Sequence, residues 1–163
     1  MTERAGTATI RVIGVGNASQ GDDAVGLLAA RRLRERLGSS VEVIEADGDG
    51  LALLDLMEGV GYIILIDAMK GGGRPGTAVR LDLSTENRWT AAVPCSTHAM
   101  GIAEAVDLAR VLGRLPKLVV LYGIELESVE SGASLSGAVQ DGLAVVLEQV
   151  SHEVERARCM KCI

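Results

Sequence analysis

The sequence predicts an α/β fold: a three-layer α/β/α sandwich on a sheet of about five strands, mostly parallel, with one antiparallel edge strand. Three observations predict it. Short β-branched apolar runs alternate with longer stretches of helical spacing. One run, Tyr62-Ile63-Ile64-Leu65-Ile66, is apolar throughout, as in a parallel strand buried on both faces. The core must also be aliphatic, because the 163 residues include no Phe and only Trp89, Tyr62 and Tyr122 as aromatics. With 48% apolar residues and neither repeat nor linker, residues 1–163 are expected to form one domain, with a core over about 9–156 and a tail at 157–163.

Ile10, Val12, Ile13 and Val15 supply the first strand, and Gly14 and Gly16 allow the chain to turn. From Val25 the spacing becomes helical, with Val25, Leu28, Ala29, Leu33 and Leu37 on one face as far as Gly38. A second strand follows at Val41 to Ala46, then a break at Gly48 and Gly50 and a short helix from about Leu51 to Met57. Asp67 is expected to end the third strand. The segment Lys70 to Gly76 is too short for a helical crossover, so the next strand should turn back antiparallel. Its alternation of Val79, Leu81 and Leu83 with Arg80 and Asp82 suits an edge with one wet face. A polar loop containing Trp89 and Pro94 then leads to Ser96-Thr97-His98, at the start of a helix that turns Ile102, Ala105, Val106 and Ala109 inward. Leu118 to Tyr122 forms the fifth strand, and Val139, Leu143, Val146, Leu147, Val150 and Val154 mark a final amphipathic helix.

A net charge of −6 and a pI near 4.9 argue against a nucleic-acid surface. No stretch approaches the roughly 20 apolar residues of a membrane span, and Met1 to Thr9 has no hydrophobic leader segment, so a cytoplasmic protein without membrane contact is expected. The odd cysteine count (Cys95, Cys159 and Cys162) fits a reducing compartment, with the Cys159/Cys162 pair incidental to a tail. No apolar stripe remains after the core is assigned, which makes a monomer the default.

Gly14-Val15-Gly16 after a first strand begins a dinucleotide fingerprint, but Ser19 stands where the third glycine belongs and Asp22 and Asp23 would repel a pyrophosphate. No nucleotide cofactor is therefore expected. Locally, Asp22 reads as a helix N-cap and Asp23 as a helix-dipole partner. Open α/β sheets place their functional crevice beyond the carboxyl ends of the parallel strands, and Asp23, Asp67 and His98 converge there from three separate elements. Two carboxylates and one imidazole leave coordination positions open, as at a reactive or borrowed metal, which by this ligand set is nickel, zinc, iron or manganese. Local alternatives remain: Asp67 as a turn cap, and His98 as a helix-end histidine without a ligand. Cys95, three residues before His98, is a further thiolate candidate, and His152 falls on the polar side of the last helix. As edge residues, Asp67 and His98 are expected to be exposed and replaceable with little loss of fold, while Gly16 is expected at a positive φ.

The segments Gly14-Val15-Gly16-Asn17-Ala18-Ser19-Gln20-Gly21-Asp22-Asp23-Ala24-Val25-Gly26, Ile66-Asp67-Ala68, Pro75-Gly76-Thr77, Ser96-Thr97-His98-Ala99-Met100-Gly101 and Gly123-Ile124-Glu125 resemble, in order and spacing, the [NiFe]-hydrogenase maturation endopeptidases. The resemblance runs over about residues 9 to 150. It implies that Asp23, Asp67 and His98 contact nickel, that Gly14, Gly16 and Asn17 shape the adjoining loop, and that the reaction removes the C-terminal extension of a hydrogenase large-subunit precursor once nickel is inserted. The nickel is then the substrate's own, and the precursor is the expected partner. After the second strand, where many members carry an acidic residue followed by Gly-Gly-Thr, this chain has Glu45-Ala46-Asp47-Gly48-Asp49-Gly50, which makes Asp47, Gly48 and Asp49 candidates for substrate recognition. A second reading, a non-catalytic nickel-sensing or docking module, needs the same residues and differs only in leaving the precursor uncut. A nucleotide-binding oxidoreductase fragment is disfavoured by Ser19 and by the acidic loop.

Overall fold

A computed structural model describes residues 9–85 and 101–159. In chain order these form β1 (Ile10–Val15), α1 (Val25–Leu37), β2 (Glu42–Ala46), α2 (Gly50–Leu56), β3 (Tyr62–Met69), β4 (Ala78–Asp82), α3 (Ile102–Val111), β5 (Leu118–Glu125) and α4 (Gly137–Cys159). A 3-10 turn, Gly21–Ala24, joins the loop after β1 to α1. The strands lie in the order β2-β1-β3-β5-β4, with every neighbouring pair parallel except β4 and β5. This is the sheet expected from the sequence.

Strand periodicity divides the core into two layers. Val12, Ile64, Ile66, Val120, Tyr122 and Ile124 face α1 and α4, whose Ala29, Leu33, Leu143, Val146 and Val150 complete one cluster. Ile13, Val15, Ile63, Leu65, Val119 and Leu121 face α2 and α3 on the other side. The first crossover, through α1, and the second, through α2, therefore lie on opposite faces. The sheet reverses its winding between β1 and β3, and a crevice opens at their carboxyl ends.

Two expectations require correction. The antiparallel strand β4 does not return beside β3; it lies beyond β5, which fills the position between them. Residues Ile63 to Ala68 of β3 are buried on both faces, and parallel pairing with β5 runs their full length, from Tyr62 opposite Leu118 to Met69 opposite Glu125. The exposed Arg80 and Asp82 are tolerated only at the outer edge. Nor does Asp67 end β3. Pairing with β1 stops at Ile66, opposite Gly14, but pairing with β5 carries the strand on to Met69. At the far end of the chain, α4 continues to Cys159, into the segment read as a tail.

Glycines set the distance between α1 and the sheet. A Cβ on Gly14 would lie 2.0 Å from the Gly26 carbonyl oxygen, and one on Gly26 would lie 2.0 Å from that of Val15 and 2.5 Å from that of Ile66. Gly16 is similar, at 2.2 Å from the Asp23 carbonyl oxygen. Its φ is not positive, contrary to expectation, so contact with neighbouring backbone, rather than a left-handed turn, demands the glycine.

On the α4 side, Glu153 interrupts the apolar helix face yet is buried. Its carboxylate accepts hydrogen bonds from the Tyr62 and Tyr122 hydroxyls and from Arg80, through Nε at 3.1 Å and Nη2 at 2.6 Å. Burial alone would raise its pKa, but the Arg80, Tyr122 and Tyr62 hydrogen bonds outweigh burial and hold it below the usual range. Burial and the Glu153 carboxylate push the Tyr122 hydroxyl up to about 12.

Two predictions follow from this packing. Gly14→Val should prevent folding or lower the melting temperature by well over 10 °C, measured by circular dichroism, because the added atoms overlap backbone of α1 rather than a movable side chain. Because the folded-state pKa of Glu153 is depressed, its stabilisation is complete above the unfolded-state value and is lost as pH falls through the folded value. The Glu153→Gln protein should therefore be less stable near neutral pH and show a flatter decline in melting temperature on acidification from pH 5 to 3.

Candidate active site

The sequence-predicted residues on β1 and β3 meet at the sheet's switch point. The 3-10 turn after β1 carries Asp23, whose backbone N–H donates to the Gln20 carbonyl at 2.9 Å and whose carbonyl accepts from Asn17 N–H at 3.1 Å. Asn17 in turn accepts from the Ser19 backbone N–H and hydroxyl through Oδ1, and Gly16 N–H donates to the Ala46 carbonyl at 3.0 Å, which ties this loop to the end of β2. Asp67, on β3, shares the Ile63 and Leu65 side of the sheet, the side on which α3 packs.

Both carboxylates are buried, Asp23 at 1% and Asp67 at 4% of full accessibility, and for Asp67 this corrects the expectation of an exposed edge residue. Oδ1 of Asp67 has no hydrogen-bond partner among the described residues. Burial first, and the negative charge of Asp23 second, push the Asp67 carboxyl well above the usual carboxylate range; the Ala68 backbone N–H opposes this only in part. Two acids held together out of water, one with an unsatisfied oxygen, form an arrangement that a protein tolerates at a stability cost and that a cation relieves. The donor set therefore fits a divalent metal. Among the described residues no third His, Cys, Asp or Glu completes a cluster around them. His98 and Cys95 lie outside the described residues.

Asp22 is not the N-cap of α1: neither the 3-10 turn nor α1 has a side-chain cap. Its carboxylate reaches instead across the crevice to the β5–α4 loop. There it accepts from the backbone N–H groups of Glu127 at 2.9 Å, Ser128 at 3.0 Å and Ser136 at 2.7 Å, and from the Ser136 hydroxyl at 3.0 Å. Burial opposes ionisation, yet these four donors together lower its pKa. Asp22 N–H also donates to the Ser128 carbonyl at 3.0 Å. One aspartate of the doublet is thus consumed as a tether while its neighbour stands in the site. The sequence signal for this division was the doublet itself, followed much later by a Ser-, Gly- and Glu-rich loop that needs an anchor.

The candidate recognition segment has partly structural duties. Asp49 caps α2 by accepting from Leu51 N–H at 3.0 Å, Asp47 Oδ1 accepts from Asp49 N–H at 3.2 Å, and Gly48 sits at φ 88°. Exposed Asp47 and Asp49 border the glycine loop through the Gly16 to Ala46 bond. His152 is exposed on α4, as expected. Cys159 is exposed with a free thiol. No helix among the described residues is long and apolar enough to cross a membrane.

Comparison with known proteins bears on this site. A family model described as hydrogenase maturation protease matches residues 25–153. The hydrogenase 2 maturation protease of Escherichia coli is 32% identical over 145 residues, which cover 86% of this chain and 87% of that protein. The hydrogenase expression/formation protein HupD of Thiocapsa roseopersicina is 28% identical over 142 residues; these cover 85% of this chain but 64% of HupD, so the chain spans just under two thirds of that longer relative. Among solved structures, the hydrogenase maturating endopeptidase HybD from E. coli superposes with a TM-score of 0.76 at 27% identity, covering 91% of this chain and 93% of its own. The [NiFe] hydrogenase maturation protease HybD from Thermococcus kodakarensis gives 0.73 at 27%, covering 88% and 97%.

Asp22 and Asp67 should respond oppositely when replaced. Asp67→Asn removes a buried like charge and is expected to stabilise the metal-free protein by about 1 kcal/mol, a rise of about 2–4 °C in melting temperature for a domain of this size. Asp22→Ala leaves three backbone donors without their acceptor and should cost about 2–4 kcal/mol in urea unfolding.

Proposed function

This chain belongs to the hydrogenase maturation protease family, and from that premise we propose that it is an endopeptidase that removes the C-terminal extension of a [NiFe]-hydrogenase large-subunit precursor after nickel insertion. The observation that carries this reading is the buried pair Asp23 and Asp67, with Oδ1 of Asp67 unsatisfied, at the carboxyl ends of β1 and β3. A site built for an anion, a nucleotide or an acyl-enzyme nucleophile would not keep two carboxylates there.

In this reading nickel arrives with the substrate, held by the precursor, and supplies a Lewis acid beside one peptide bond. The chain's part is to recognise that ion. Asp23 and Asp67 offer carboxylate oxygens at fixed positions, and His98 is proposed, from the family resemblance, as the imidazole donor. The unsatisfied oxygen makes recognition conditional: without a cation the pair stays strained, and a nickel-loaded precursor binds with the extra energy of relieving that strain. An empty precursor does not. The loops tied by Asn17 and Asp22 keep both carboxylates in place so that little ordering cost is left for the encounter. With an odd cysteine count, the setting we propose is the cytoplasm, where the protein acts as a monomer on a single protein substrate.

The test is the intact mass of the nickel-loaded precursor before and after incubation. Wild-type protein should release one defined C-terminal peptide, while nickel-free precursor, and nickel-loaded precursor treated with Asp67→Asn or His98→Ala, should keep full mass. Processing at the wild-type rate by Asp67→Asn would remove the pair from the reaction; a stable complex with uncut precursor would make the protein a docking module.

A further inference from the structure

The β3–β4 connection carries a cationic segment at the rim of the acidic site. Lys70-Gly71-Gly72-Gly73-Arg74 begins three residues beyond Asp67, and its two ends are fixed: Leu126 N–H donates to the Met69 carbonyl at 2.9 Å, and Gly76 N–H to the Glu125 carbonyl at 2.8 Å. The tip is held by a second device. The Glu125 carboxylate accepts from Gly71 N–H through both oxygens and from Gly72 N–H through one, each at 3.0 Å.

Glu125 is 3% exposed, on the last residue of β5, opposite Met69 and two positions along from the Asp67–Gly123 pair. It therefore lies on the same side of the sheet as Asp67. Three successive glycines are the chain's most expensive residues to order, and this loop, exposed from Lys70 to Arg74, adds nothing to the core. Burying a carboxylate to hold it has no return in packing. What the tether does hold is the backbone between the two cations.

Those cations have no acidic partner among the described residues, a state they share with Arg32, Lys117 and Arg156. Arg11, Arg31, Arg34, Arg36, Arg110 and Arg114 each pair with a carboxylate. Lys70 and Arg74 form no ion pair with the described residues, although the chain carries a net charge of −6. Two unpaired cations on a tethered loop that follows Asp67 along β3 give this end of the sheet a charge opposite to that of the buried acids. A substrate segment bearing a carboxylate would be repelled by Asp23 and Asp67 and needs such an offset, effective within a Debye length of about 8 Å at physiological salt.

We propose that Lys70 and Arg74 are specificity-determining residues that receive a carboxylate of the precursor's C-terminal extension, with Glu125 as the positioning residue that holds their loop. This rests on the endopeptidase reading above, and it names the chemistry recognised next to the cleavage site. That carboxylate is either the α-carboxylate at the end of the extension or an Asp or Glu side chain within it.

The experiment measures, with nickel-loaded precursor, both dissociation constant and cleavage kinetics for wild type, Lys70→Ala/Arg74→Ala, the charge reversal Lys70→Glu/Arg74→Glu, and Glu125→Gln. The alanine pair should raise Kd and KM about tenfold with kcat within about twofold, since two exposed ion pairs contribute modestly. The charge reversal should do more, and the differences should shrink in about 0.5 M salt. Glu125→Gln, which leaves both cations in place but loosens the loop, should raise KM part of the way, with a smaller salt dependence than the alanine pair. A precursor with an amidated C-terminus, compared with one whose acidic extension residues are changed to amides, identifies which carboxylate is bound. Equal Kd and KM for wild type and the alanine pair would overturn the proposal while leaving cleavage intact. Uncut precursor with wild type would overturn the protease reading, and the Kd comparison would still decide the cation assignment.

Discussion

The site depends on how closely the N-terminal turn of α1 can approach the backbone of β1 and β3. Gly14 and Gly26 meet where any side chain would overlap a carbonyl, and Gly16 lies under the Asp23 carbonyl in the same way. That contact brings the 3-10 turn over the carboxyl ends of the two central strands, at the point where the sheet reverses its winding. From there the rest is geometry: Asp23 comes down from the turn, Asp67 rises from a strand that continues past β1, and water is excluded from both.

The buried acids divide by what they are given. Asp22 accepts four hydrogen bonds, Glu125 gathers the N–H groups of two glycines, and Glu153 takes two tyrosine hydroxyls and an arginine. Each is a satisfied anchor that organises a loop or joins a helix to the sheet. Asp67 differs from these three: among the described residues one of its oxygens has no hydrogen-bond partner, and a like charge lies beside it. An arrangement that lowers stability persists where function requires it, and the proposed substrate, which brings its own cation, would meet that requirement. Under the proposed function, specificity for the loaded precursor would need no separate sensor, because the ion that signals maturity would also be the ion that relieves the strain.

Much of this was legible in the sequence because periodicity carries it. The continuous apolar run of β3, the alternation in β4 and the glycine turn into two aspartates gave the layers, the antiparallel edge and the place of Asp23. Strand order was harder: nothing local in Lys70 to Gly76 says that β5 will occupy the neighbouring position to β3, since that is decided by which strand must be covered on both edges. The burial of Asp67 escaped for a related reason, because strand length is set by a partner far along the chain and not by the polarity of the residue. Gly16 was expected at positive φ when its constraint is a contact with a residue seven positions on. Asp22 was read as an N-cap because the loop that it tethers lies more than a hundred residues away.

The central claim is that the buried carboxylate pair binds the substrate's nickel. The most direct measurement is X-ray absorption at the nickel edge on freeze-quenched mixtures of nickel-loaded precursor with wild-type protein or with Asp67→Asn. Additional oxygen ligands on nickel are expected when wild-type protein binds, and fewer with the variant. Nickel spectra identical to those of free precursor, in a sample where the complex is fully formed, would contradict it.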